Sequence, residues 1–85
     1  MPKKATQRDC ILAALKQAPY GGRIEEAASR KYVKVVLADG VVLWIGKAGA
    51  LRRGRTISGS VPVNDRIRQM VLNVGRELLG GDQQC

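Results

Sequence analysis

The residues best suited to chemistry are basic side chains in the second half of the chain. Four of them lie close together, with glycines beside and between them: Lys47, Arg52, Arg53 and Arg55. Cationic groups on a backbone that glycines leave accessible are what a phosphate-binding surface requires. The planar guanidinium also matches phosphate oxygens in pairs. We therefore predict that this stretch is a loop that binds the phosphates of a nucleic acid, either DNA or RNA.

Two other parts of the chain extend this hypothesis. Lys3 and Lys4 form a basic N-terminal arm, and Tyr32 is the aromatic residue that we expect to be exposed for stacking on a base. Trp44, in contrast, is expected in the core. Two alternatives remain open. The basic stretch is only a solvated turn, or its arginines dock on the carboxylates of an acidic protein as a regulator or inhibitor, for instance one encoded by a mobile element.

The sequence argues against an enzyme. It contains no histidine, which excludes imidazole catalysis and histidine-ligated metals. The segment from Gly40 to Ala48 imitates a P-loop, but five residues separate its glycines where four are needed, and Ala48 stands where Ser or Thr would bind magnesium. Glu25 and Glu26 are flanked by cations, and Cys10 lies among apolar residues. We therefore predict no catalytic residue, no metal site and no cofactor.

Composition limits the class of protein and its compartment. The chain has 85 residues, a net charge of +8 and 45% hydrophobic residues, which predicts a small folded domain and not a disordered polycation. Its two cysteines, Cys10 and Cys85, are too few for a disulfide framework, so we expect reduced thiols and a cytoplasmic protein. The longest apolar run, Val41 to Ile45, is far shorter than the roughly 20 residues of a membrane-spanning helix.

Local patterns predict the helices that must position these residues. Thr6 and Asp9 have the spacing of a capping box, which predicts a helix from about Gln7 to Gln17. Residues 23–30 are interpreted as a turn or a short helix. Asn64 is a good N-cap for a final amphipathic helix that ends before the glycine pair near the C-terminus.

Residues 31–47 predict a β-hairpin, because Asp39-Gly40 favours a two-residue type I′ turn between β-branched segments. The expected facing pairs are Leu37–Val42, Val35–Trp44 and Tyr32–Lys47. An apolar row is then expected on the outer face of the hairpin: Val36, Leu43 and Ile45. Such a row needs a cover, so a homodimer is one interpretation of this face.

A third strand is expected at residues 55–61, because an isolated hairpin is marginally stable. The order helix, strand, strand, third strand, helix predicts a small α+β domain with an antiparallel sheet and both helices on one face. We expect residues 1–5 to be a flexible basic arm, 6–80 the single domain and 81–85 a flexible tail. The expected core combines strand and helix residues: Val35, Leu37, Trp44, Val71, Val74 and Leu78.

Overall fold

A computed structural model describes residues 6–25 and 31–79 of the chain. The predicted arm with Lys3 and Lys4, and the predicted tail, lie outside the described residues. The elements are α1 (Gln7–Lys16), β1 (Arg23–Ile24), β2 (Tyr32–Val36), β3 (Val42–Gly46), β4 (Leu51–Arg53), β5 (Val61–Pro62) and α2 (Asp65–Leu78). The strands form one five-stranded antiparallel sheet in the order of the sequence. The predicted small α+β fold is confirmed.

Both helices begin where their capping residues predict. The Thr6 hydroxyl accepts the backbone N–H of Asp9 at 3.1 Å, and the Asp9 carboxylate accepts the N–H of Thr6 at 3.0 Å. This reciprocal pair satisfies two N–H groups that have no partner inside the helix. At the start of α2, the Asn64 side chain accepts the N–H of Arg66 at 2.7 Å, so the predicted N-cap is also confirmed.

The helices lie side by side and cover one face of the sheet, which we call the inner face. The core joins residues of both layers: Ile11, Leu12, Ala14, Leu15, Val33, Val35, Leu43, Ile45, Leu51, Val71 and Leu72. The helices approach closely at Gly75, where a Cβ atom would collide with the backbone carbonyl group of Cys10. Glycine at this position therefore sets the distance between α1 and α2. Leu78, which was expected in the core, is 48% exposed, and that prediction is wrong.

Cys10 is fully buried between the helices and is disulfide-bonded. The expectation of a reduced thiol at this position is wrong, and the cysteines no longer argue for a cytoplasmic location. No helix among the residues that the structure describes is long and apolar enough to span a membrane.

The turn between β2 and β3 is one residue longer than the sequence predicts. The Leu37 N–H donates to the Val41 carbonyl at 2.8 Å, and the Gly40 N–H donates to the Leu37 carbonyl at 2.9 Å, so the loop comprises three residues, 38–40. Gly40 has a φ of 89°, whereas Asp39 has no positive φ. This is a type I turn followed by a left-handed glycine, and the type I′ prediction is wrong.

The longer turn shifts the register of the hairpin by one residue and exchanges the two faces of β3. Val35 faces Leu43, and Lys34 faces Trp44. Leu43 and Ile45, which were expected on the outer face, are buried in the core. Trp44 lies on the opposite face of the sheet, which we call the outer face. Leu43 and Ile45 therefore do not belong to the apolar outer row on which the homodimer interpretation depended, whereas Val36 does lie on the outer face, opposite Val42.

The second hairpin repeats the geometry of the first. The Gly46 N–H donates to the Ala50 carbonyl at 2.9 Å, and Gly49, with a φ of 87°, donates to the Gly46 carbonyl at 3.0 Å. The strand that follows this hairpin turn and pairs with β3 is consequently β4, at residues 51–53, and not residues 55–61. Residues 23–24, expected in a turn or helix, form the edge strand β1.

Candidate functional site

Strand β4 separates the basic residues that the sequence places on one loop. Lys47 lies in the turn before β4, Arg52 and Arg53 lie within it, and Arg55 follows it. Adjacent side chains of a strand point to opposite faces, so Arg52 and Arg53 diverge. The prediction of a single basic loop is therefore wrong.

Arg52 holds the loop of residues 54–60 in place. Its Nε donates to the Ser60 hydroxyl at 2.6 Å, and its Nη2 donates to the Ser60 carbonyl at 2.8 Å. Ser60 is buried, and its hydroxyl in turn donates to the Ile57 carbonyl at 2.8 Å. Because its guanidinium is engaged in this way, Arg52 is a structural clamp that lies on the outer face opposite Trp44.

The other three cations of the predicted loop are exposed, with Arg53 and Arg55 close together and Lys47 apart from them. Arg53 borders an open apolar groove of about 400 Å³ between the inner face of the sheet and α2. Arg53 and Arg55 both line a shallow depression beside Asp39 and Gly40, at the end of the sheet where β3 begins. Lys47 lies beyond the opposite end of β3. The five residues of this strand span about 16 Å, so Lys47 is at least that far from the end where β3 begins. Lys47 and Arg52 therefore lie apart from the pair formed by Arg53 and Arg55.

The outer face of the sheet brings together a different set of residues. The strand register places one cation on each of three strands, namely Arg23 on β1, Lys34 on β2 and Arg52 on β4. Tyr32 and Trp44 lie on the same face as diagonal neighbours on β2 and β3, about 7–8 Å apart. No helix among the described residues covers this face, because both pack on the core side.

The two aromatic side chains of the outer face have different surroundings. Trp44 is only 8% exposed; its Nε1 donates to the Gly54 carbonyl at 3.0 Å, and the Lys34 Nζ lies 5.8 Å from its ring centroid. Tyr32 is partly exposed and lies opposite Gly46, where an added Cβ would come within 3.3 Å of its ring. Trp44 is thus largely buried and fixed by a hydrogen bond, whereas Tyr32 has no side chain opposite it on β3.

Glu25 is the one carboxylate that the described residues place on the outer face. Its Oε1 lies 3.4 Å from the Lys34 Nζ, and its Oε2 lies 3.8 Å from the Arg23 Nη2. The Arg23 side chain is nevertheless 78% exposed. With three cations against one carboxylate, the outer face keeps a positive charge.

Sequence reasoning named Tyr32 but missed Arg23 and Lys34 as site residues. The alternation along β2 already places Lys34 on the same face as Tyr32, whereas Arg23 could not be placed there because residues 23–30 were interpreted as a turn or a short helix. Comparisons of the chain with protein-family models, with curated proteins and with solved structures found no match. The function is therefore inferred from the chemistry of the outer face.

Proposed function

We propose that the protein binds nucleic acid through the outer face of its sheet. The observation that carries this proposal is the presence of cations and aromatic rings on a sheet face that no described helix covers. Lysine and arginine neutralise phosphates, and aromatic rings stack on bases. The net charge of +8 adds a long-range attraction for a polyanion.

The phosphate contacts proposed here differ from those expected from the sequence. Arg23 and Lys34 replace Arg52, because Arg52 is committed to Ser60. Lys47 remains a contact at the edge of the outer face, since it follows Gly46 directly and is exposed. An acidic protein is the competing partner, because its carboxylates would pair with the same cations.

The test is fluorescence anisotropy with labelled DNA and RNA oligonucleotides over a salt series. If Arg23, Lys34 and Lys47 each contact a phosphate, the affinity should fall by roughly one to one and a half decades between about 50 and 200 mM salt. Arg23→Gln and Lys34→Gln should each reduce the salt slope by about 1.

The matched control is Arg66→Gln. It removes the same charge from an exposed position on α2, in the layer behind the sheet. This variant should bind like the wild type. Absence of binding at low salt would refute the proposal in favour of a protein partner, and equal losses in all three variants would show that net charge alone is responsible.

A further inference from the structure

We propose that the nucleic acid bound by the outer face is single-stranded and that one of its bases stacks on Tyr32. This inference rests on the function proposed above and specifies its ligand. Single strands leave both faces of each base open to an aromatic side chain, whereas a duplex hides them between neighbouring base pairs.

The described residues offer little that fits a groove of a duplex. The turns after β2 and β3 have three-residue loops, at 38–40 and 47–49, which are too short to enter a groove. Helix α2 shows an exposed apolar stripe that includes Ile67 and Met70, at 46% and 49% exposure. The exposed charged residues of α2 are Asp65, Arg66 and Glu77, so the helix lacks the basic surface of a helix that reads the major groove.

The outer face, in contrast, has the parts of a stacking platform. Tyr32 has only a glycine opposite it on β3, so no cross-strand side chain covers its ring from that position. Lys34 follows two residues later on the same face, about 7 Å along β2. A strand that stacks a base on Tyr32 therefore places its backbone within reach of the Lys34 ammonium, while Arg23 lies on the neighbouring strand.

Trp44 provides an internal reporter for this contact. It is the only tryptophan of the chain, it lies diagonally beside Tyr32, and its indole is held by the Gly54 carbonyl. A base stacked on Tyr32 alters the surroundings of the indole and the position of the Lys34 ammonium above it. Binding should therefore change the fluorescence of Trp44, whereas a phosphate contact at Lys47 or Arg55 alone should leave it unaltered.

The experiment compares an oligothymidylate of about 12 nucleotides with a duplex of the same length, by anisotropy and by Trp44 fluorescence. The wild type should bind the single strand at least about tenfold more tightly than the duplex, because stacking on one aromatic ring contributes this much, and the fluorescence of Trp44 should change. Tyr32→Leu keeps an apolar side chain over Gly46 but removes the ring, and should weaken single-strand binding by roughly 5- to 150-fold. Tyr32→Phe, the matched control, keeps the ring and should stay within about threefold of the wild type.

The outcomes separate this inference from the function on which it rests. If neither oligonucleotide binds at low salt, the proposed function itself fails. If the duplex binds as tightly as the single strand, or if Tyr32→Leu binds like Tyr32→Phe, the protein binds nucleic acid but the stacking inference is refuted. Should Tyr32→Leu not fold, as judged by thermal melting, the wild-type comparison and the Trp44 signal still decide the question.

Discussion

Arg52 and Arg53 are adjacent cations with different surroundings, so replacing each by alanine distinguishes a structural clamp from an exposed charge. In Arg52→Ala, the hydroxyl and the carbonyl of Ser60 both lose a charged donor, at 2.6 and 2.8 Å in the wild type. Ser60 is 7% exposed, so water replaces these hydrogen bonds poorly. Arg53→Ala removes the same charge from an exposed side chain on the other face of β4.

The size of the effect follows from the two hydrogen bonds. A hydrogen bond to a charged group contributes about 1.5–3 kcal/mol. Because Arg52 is partly accessible to water, we assign each of its two hydrogen bonds a value near the lower end of this range. We therefore expect Arg52→Ala to reduce the free energy of unfolding by about 2–3 kcal/mol. For a domain of this size the melting temperature then falls by roughly 10–20 °C. Arg53→Ala should change the free energy of unfolding by less than about 0.5 kcal/mol.

The measurement is urea and thermal denaturation followed by circular dichroism. Arg52→Lys preserves the charge but lacks the planar fork that reaches both acceptors, so it should lose most of the same stability. Equal melting temperatures for Arg52→Ala and Arg53→Ala would refute the clamp and would return Arg52 to the set of candidate phosphate contacts.

Four further substitutions test other contacts. Gly75→Ala should destabilise the fold by about 1–3 kcal/mol in urea denaturation, because its Cβ meets the Cys10 backbone, although the same change at an exposed helical site stabilises by about 1 kcal/mol. A variant that melts above the wild type would contradict this close approach of the helices. Gly40→Ala and Gly49→Ala should each cost about 1 kcal/mol, since their φ angles are 89° and 87°. Gly49→Ala should melt at the lower temperature, because only its Cβ meets Gln7; the reverse order would contradict that contact. Glu25→Gln should raise the affinity for an oligonucleotide a few-fold at low salt in the anisotropy assay, and an unchanged affinity would place the ligand away from Glu25.

Features that depend on a few neighbouring residues could be predicted from the sequence. The Thr6–Asp9 box and the Asn64 cap each depend on residues within one helical turn, so both helix starts could be predicted. The alternation of β-branched residues around residues 39–40 likewise predicted a hairpin, and the order of elements predicted an α+β fold. The binding hypothesis named Tyr32, which does lie on the outer face.

The register of the hairpin, in contrast, could not be predicted from neighbouring residues. Asp39-Gly40 is compatible with a two-residue loop and with a three-residue loop, which differ by one residue in length. The choice depends on which side of β3 meets the helices. The observed register buries the fully apolar Leu43 and Ile45 against α1 and α2 and lets the Trp44 indole N–H donate to the Gly54 carbonyl. The predicted register would have buried that N–H in the core, where it would need a partner.

The register of the hairpin also determines which residues lie together in the candidate site. A shift of one residue exchanges the faces of a strand, so it moved Trp44 beside Tyr32 and Lys34 on the outer face. The separation of Arg52 from Arg53 arises in the same way, because β4 begins at Leu51 only once the second turn has closed at Gly49. Face and register are properties of the whole sheet packed on its helices, and for that reason a local pattern of arginines and glycines did not reveal them.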